Sequence, residues 1–385
     1  MLNRFKFLGK QQHICFAYLE SPTAEHNDAL KDQWDLTTGI SCQMDFEMNS
    51  FSLAGHSSKN SRINNAYLDG ESVKKHLRAT RSLAVFLQSP YSEHYPDWFV
   101  DFSADLNFAF AGYGISLSNY LDGQFRTPLI QSSRYLLASS NYDVNGYKLN
   151  CSSSSEVILT GNPLMYEIRK SLVVQSDLKQ PMILRFLWAP HWSKFWLQGR
   201  KGFARWQITV EPILKFASDN PNIQVVIRPH PILHEALISH LKTGKDLNRE
   251  SQVSIDTGLD SEYLLLFQTL LSLKNVSFSK SSLKEDVLNS SHLVTDGVSI
   301  IAYWATTGKP ILVVKDSESP SFNEDGIKLI NEIDVASDST EISHWLQHVT
   351  LNVKNGSHDS LVDLSKKLHP TFLQSPAEIF KRSIE

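Results

Sequence analysis

The feature that most constrains the fold is an alternation. In the second half of the chain, short apolar runs that read as strands take turns with amphipathic runs that read as helices. "MILRFLWAP" (182–190) predicts a strand and "WQITVEPILKFASDN" a helix; "IQVVIRPHP" and "LHEALISHLK" repeat the pair. The helical run "SEYLLLFQTLLSLK", a strand around "NVSFS", the helix "SLKEDVLNSS", the strand "HLVTDG", the helix "SIIAYWATTG" and the strand "KPILVVKD" continue it. Strands that are apolar on both faces, each followed by a helix, predict a parallel sheet covered on both sides, a doubly wound α/β domain. Such sheets take their ligands outside the carboxyl ends of the strands.

The first half is less regular. "SLAVFLQSPY", "LNFAFAGYG", "RYLLASS" and "SEVILTG" predict four more buried strands with polar loops between them, while the first seventy residues carry little readable pattern. "AGHSSKNSRINN" and "CSSSSE" read as loops. A chain of 385 residues exceeds one ordinary core. Strand patterning lapses in "SLVVQSDLKQ", so a boundary is expected near 165–180. The expected organisation is an N-terminal Rossmann-like domain over 1–170, a C-terminal Rossmann-like domain over 171–350 and a C-terminal helical segment over 351–385.

Charge and cysteine usage narrow the partners. A net charge of -4 argues against a general nucleic-acid binder. Cys15, Cys42 and Cys151 lie far apart, which suggests reduced thiols in a reducing compartment. No apolar run is long enough to span a bilayer, and "MLNRFKFLGK" lacks the apolar core of a secretory signal. The expectation is a cytoplasmic protein, in contact with a membrane at most peripherally, at its inner face.

Chemistry gathers at the ends of the predicted strands. Pro190, His191 and Trp192 follow one; Arg228, Pro229, His230 and Pro231 follow the next; Thr295, Asp296, Gly297 and then Ser299 follow a third. A helix N-terminus stabilises phosphate through its open N–H groups and peptide dipoles. Arginine adds a bidentate clamp, and histidine moves a proton near neutral pH. Asp296 cannot attract phosphate; it suits a ribose hydroxyl, the orientation of a histidine, or a helix cap. Singly, each residue has a plain structural reading: His191 as a satisfied histidine beside tryptophans, Arg228 as an ion pair, Asp296 as a cap. Their recurrence at strand ends favours a phosphate-bearing nucleotide and group transfer. His230, His234 and His240 do not make a zinc motif, because Pro231 interrupts the first turn, no acidic partner stands in an H-E-x-x-H arrangement and the cysteines are elsewhere. The basic run "KFWLQGRKGFARW" reads as a solvated loop or as a contact for an anionic acceptor or membrane leaflet. No Walker motif, G-x-S-x-G elbow or paired-cysteine metal site is present.

"FLWAPHWS", "VVIRPHPIL" and "VTDGVSIIAYWATTGKPILVV", in this order and spacing, resemble the CDP-glycerol glycerophosphotransferase family of the teichoic-acid polymerase type. "RYLLASSNYDVNGYK" followed by "VILTGNPLMYEI" resembles it too, so that the likeness covers roughly residues 80 to 335. The resemblance implies a GT-B architecture, with two Rossmann-like doubly wound domains facing across a cleft and a C-terminal segment returning to the N-terminal domain. It implies transfer of a polyol phosphate from a CDP-activated donor to a hydroxyl of a lipid-linked or polysaccharide acceptor, with no metal and no cofactor beyond the donor. Tyr113 stands where many members carry a histidine as base, in a Tyr-Gly and Pro-His-x-Ser branch that also contains Ser193. The resemblance puts His230, His191 and Tyr113 in the catalytic set, and Arg228, Asp296, Gly297, Ser299 and Ser193 at the donor. A tyrosine of ordinary pKa is a poor base, so the expectation is that one of the histidines moves the proton. Only Ser299 follows Asp296 and Gly297 where members often have two serines, which leaves the donor open. The alternatives are a GT-B glycosyltransferase using a nucleotide sugar in capsule or lipopolysaccharide synthesis, a sugar-nucleotide epimerase, and a non-catalytic nucleotide-binding homologue.

Overall fold

Short strands that are buried on both faces dictate the architecture. In a computed structural model of the chain, Phe186–Ala189, Val225–Ile227, His292–Thr295 and Ile311–Val314 are all buried, as parallel strands between two helical layers must be. The structure describes residues 13–18, 47–52, 65–66, 71–72, 74–75, 82–87, 107–112, 114–176, 184–193, 202–243, 261–351, 359–371 and 374–384. Tyr113 lies outside them, as does most of the basic run that begins at Lys194.

Among the described residues thirteen strands form two sheets, and every strand pair in them is parallel. The first contains β1 (His13–Tyr18), β2 (Glu47–Ser52), β3 (Asn65–Ala66), β4 (Ser82–Leu87), β5 (Phe108–Ala111), β6 (Tyr135–Ala138) and β7 (Glu156–Leu159), in the order β3-β2-β1-β4-β5-β6-β7. The second contains β8 (Arg185–Ala189), β9 (Gln224–Ile227), β10 (Val276–Phe278), β11 (His292–Thr295), β12 (Ile311–Val314) and β13 (Asp334–Ala336), in the order β10-β9-β8-β11-β12-β13. In each sheet the first strand lies inside and the order reverses beside it. Such a reversal, between β1 and β4 in one sheet and between β8 and β11 in the other, is where doubly wound sheets open a crevice at their carboxyl ends.

The chain divides into two compact units. One holds Met1–Ser116, Tyr120–Tyr166 and Leu368–Glu385; the other holds Leu117–Asn119 and Glu167–Lys367. The residues expected to form a separate C-terminal segment are shared out between the units. The helix Asp359–Leu368 goes almost wholly with the second unit and Pro376–Ile384 with the first, where Phe380 is buried edge-on against Phe86 and Tyr135.

The helices named below are α1 (Leu121–Phe125), α2 (Pro128–Ser132), α3 (Asn141–Asn150), α4 (Pro163–Ser176), α5 (Trp206–Asp219), α6 (Pro231–Thr243), α7 (Ser261–Ser272), α8 (Leu283–Asn289) and α9 (Ser299–Ala305). In the second unit α5 buries Trp206, Val210, Ile213 and Phe216 against the sheet, while Leu233 and Leu237 of α6 and Phe267 and Leu270 of α7 join the same core. α8 starts on a capping box in which the Ser282 hydroxyl accepts from Glu285 N–H and the Glu285 carboxylate accepts from Ser282 N–H.

Candidate functional site

Three loops at the carboxyl edge of the second sheet are tied into one body by backbone contacts. His230 N–H donates to Pro190 O at 2.9 Å, joining the loop after β9 to the loop after β8. His191 N–H donates to Asp296 Oδ1 at 2.5 Å, joining the latter to the loop after β11. The Thr295 hydroxyl donates to Ala189 O at 2.7 Å across the crevice between β8 and β11. The sequence-predicted residues His191, Ser193, His230 and Asp296 therefore meet at the switch point.

The two histidine rings lie side by side, with centroids 5.2 Å apart, and Trp192 is 6.0 Å from His230. Both rings are partly buried. At His191, Nδ1 receives the backbone N–H of Ser193 at 3.2 Å. At His230, Nδ1 receives the backbone N–H of Ile232 at 3.4 Å, in the first turn of α6. An amide N–H can only donate, so each Nδ1 offers its lone pair and each neutral ring carries its hydrogen on Nε2. Burial pushes His191 down to about 3, so it stays neutral at physiological pH. With Nδ1 engaged and hydrogen on Nε2, the neutral ring is a donor.

Asp296 is buried and both of its oxygens are committed, Oδ1 to His191 N–H and Oδ2 to Arg205 N–H at the start of α5. Burial raises its pKa to about 7, against those two N–H groups and the Arg205 charge, which pull it down. It receives the first N–H of the α5 start and orients the His191 loop. Gly297 is buried with its N–H given to the Thr295 hydroxyl at 2.9 Å, so that amide too is engaged internally. Ser193 is fully buried, its hydroxyl between Phe203 N–H and His191 Nδ1, and cannot touch a ligand directly. Ser299 opens α9 and is partly buried.

Arg228 is drawn downward. Its Nη1 donates to Ser281 O at 2.7 Å and pairs with Asp286 Oδ2 at 3.0 Å, and Arg185 holds the other oxygen of Asp286 at 2.8 Å. Asp286 has no exposed side-chain surface. Through Nη1, Arg228 neutralises a buried carboxylate.

Two further residues complete the site: Arg205, which the sequence places only in the basic run 194–206, and Asp316, which carries no sequence signal. Arg205 forms a two-point pair with Asp316, Nε to Oδ2 at 2.9 Å and Nη2 to Oδ1 at 2.7 Å, and donates through Nη1 to Gly202 O and Ala204 O. The Arg205 guanidinium holds Asp316 down to about 2. Asp316 lies just past β12, so the Asp296–Arg205–Asp316 chain links the loops after β11 and β12 to α5. Among the described residues no group of three or more His, Cys, Asp or Glu side chains converges as metal ligands. No described helix is long and apolar enough to cross a membrane.

No family model and no curated protein matches this chain. Solved structures do. UDP-GlcNAc 2-epimerase from Neisseria meningitidis, bound to UDP-GlcNAc, superposes with a TM-score of 0.58 at 13% identity over 97% of this chain and 99% of that one. A putative UDP-N-acetylglucosamine 2-epimerase from Listeria monocytogenes gives 0.58 at 10% identity over 98% and 97%. The wall teichoic acid polymerase TagF gives 0.55 at 11% identity over 97% and 89%. These likenesses fix the fold as the GT-B type with two Rossmann-like units.

Proposed function

We propose that the chain is a GT-B transferase that moves a glycerol-phosphate or related polyol-phosphate group from a CDP-activated donor to a hydroxyl of a cell-surface polymer or lipid-linked acceptor. The observation that carries this reading is the pair of adjacent imidazoles at the switch point of the second sheet, in motifs that resemble the CDP-glycerol glycerophosphotransferases. In such a transfer the acceptor oxygen bonds to the polyol-phosphate phosphorus, the P–O bond to CMP breaks, and negative charge builds on the departing CMP phosphate. Ring N–H groups of His191 and His230, fixed in a partly buried site, stabilise that charge. The acceptor proton then goes to a group other than His191. The TagF likeness supports the same reaction class, since TagF is a wall teichoic acid polymerase.

A second reading has its own support. The epimerase from Neisseria meningitidis, solved with UDP-GlcNAc, matches over more of its own length than TagF does, 99% against 89%. A nucleotide sugar would meet the same two donors through its diphosphate. Purified protein given CDP-glycerol and UDP-GlcNAc in parallel separates the two. CMP release from CDP-glycerol, raised by a polyol-phosphate acceptor, supports the transferase. UDP release or epimerised sugar from UDP-GlcNAc supports the second reading, and CDP binding without turnover of either supports a non-catalytic homologue.

A further inference from the structure

We propose that Ser193 is a positioning residue that commits His191 to its Nε2–H tautomer, and so makes this ring a hydrogen-bond donor to the nucleotide phosphates. The inference rests on the nucleotide-transfer reading above. Ser193 has no exposed surface, so it acts through its neighbour. It addresses His191 Nδ1 twice, with its backbone N–H at 3.2 Å and its hydroxyl at 2.8 Å. The backbone contact requires a lone pair on Nδ1. The hydroxyl is set from its far side, where Phe203 N–H donates to Oγ at 3.1 Å. With Nδ1 already an acceptor of the backbone N–H and Phe203 N–H turned on Oγ, the O–H hydrogen points at Nδ1. Hydrogens thus run one way, from Phe203 N–H to Ser193 Oγ and from Ser193 O–H to His191 Nδ1.

The 202–204 segment clamps Ser193 in this pose. Ala204 N–H donates to Ser193 O at 2.9 Å. A Cβ on residue 202 would lie 2.0 Å from Ser193 O and 2.5 Å from Ser193 Oγ, so the backbone closes over the serine only because Gly202 has none. The Nδ1–H tautomer would set a ring hydrogen against Ser193 N–H and break the one-way chain. His230 has only the longer contact from Ile232 N–H at 3.4 Å to hold it in the same state, so His191 is the more firmly assigned of the two donors.

The test is a side-chain ¹⁵N–¹H correlation spectrum of the full-length protein, with His191 assigned by its absence in His191→Gln. The expected result is an unprotonated Nδ1 and a protonated Nε2 in the wild type. In Ser193→Ala, which keeps the backbone N–H, His191 should show a mixture of tautomers, and CDP affinity should fall about fivefold, the scale of one lost hydrogen bond. An Nδ1–H signal in the wild type, or unchanged nitrogen shifts and unchanged affinity in Ser193→Ala, overturns the proposal. Should Ser193→Ala fail to fold, His191→Gln and His191→Asn decide. The Gln amide stands in for Nε2 and the Asn amide for Nδ1, so Gln should keep the greater CDP affinity, and the reverse order overturns the proposal. An Nε2–H tautomer in a wild type that binds no CDP would sink the transfer reading while retaining the positioning role.

Discussion

The two units share one strand order but end their strands differently. In the first, the turns after β6 and β7 are closed by small polar side chains that serve the backbone: Ser139 N–H donates to Asp143 Oδ2, Asp143 N–H to Ser140 Oγ, and Met165 N–H to Asn162 Oδ1. In the second, the corresponding edge carries His191, His230, Asp296, Arg205 and Asp316, with Arg228 and Asp286 just below. Among the described residues, the charged machinery that fixes loops around two imidazoles lies in the second unit. The difference teaches that the same kind of strand end is closed by small side chains serving the backbone in one place and by buried ion pairs holding loops together in another.

The largest expected effect tests the buried charge beneath that edge. Asp286→Ala leaves Arg185 and Arg228 facing each other without a counter-ion and should destabilise the second unit by about 3–5 kcal/mol, measured by urea unfolding. A loss under about 1 kcal/mol, as for an exposed pair, would erase the contrast between the two edges.

Close backbone approach comes next. Gly202→Ala drives a Cβ to 2.0 Å from the Ser193 carbonyl, a backbone atom that cannot rotate away, and should cost about 3 kcal/mol. In the first unit Gly161 has φ +79 and its added Cβ would meet the Thr371 hydroxyl at 2.2 Å, a side chain that can turn. Gly161→Ala should cost about 1–2 kcal/mol, chiefly for the left-handed backbone. The same urea midpoints rank the two, and the reverse order would show that the Ser193 clamp yields.

The pH dependence of stability belongs to the second unit. Burial depresses His191 from 6.5 to about 3 and His292 from 6.5 to about 4. The unfolded chain binds those protons first, so this part of the stability is complete above pH 6.5 and is lost as pH falls toward 4. Asp296 acts in the opposite sense. Raised from 3.8 to about 7, it holds its proton in the folded state and adds stability as pH falls through 7. Two protons against one leave roughly one net proton, so the unfolding midpoint should still fall between pH 6.5 and 4. His292→Gln should bring that slope close to zero; a slope unchanged in the variant would move the acid lability elsewhere.

The smallest expected effect lies in the first unit. Asp143→Ala removes one carboxylate that accepts Ser139 N–H, for about 1–2 kcal/mol in the same unfolding assay. A cost equal to that of Asp286→Ala would mean that the two edges are held alike.

Legibility followed the same physics. Five of the six strands of the second unit could be read because each contains an apolar run near turn residues, and β11 with its Thr-Asp-Gly end is a clear case, whereas the short Asp-Val-Ala strand β13 could not. The strands β1, β2 and β3 are not legible in the sequence: "EMNSFS" mixes Asn and Ser among its apolar residues and β3 is two residues long. α3 was missed as well, since "NYDVNGYKLN" is poor in helix formers and is held instead by its Ser140 cap and by Gly146 seated against the Phe125 ring. At the site, histidines after strands were legible as chemistry. Their supports were not, because Arg205 finds Asp296 91 residues away and Asp316 111 residues away, and nothing local marks those pairings. Asp296, Ser193 and Arg228, expected at the donor, also hold loops or a buried carboxylate in place, because a polar residue at a strand end is as useful for holding loops as for holding a ligand.

The central claim is that the second unit binds a nucleotide phosphate through His191 and His230. Calorimetric titration of CDP into the wild type, the His191→Ala/His230→Ala double variant and a Ser140→Ala control tests it most directly, with folding checked by circular dichroism. The account predicts binding to the wild type and to Ser140→Ala with equal affinity, and at least about a tenfold loss in the double variant, the scale of one charge-assisted hydrogen bond or more. A folded double variant that binds CDP as tightly as the wild type would contradict it.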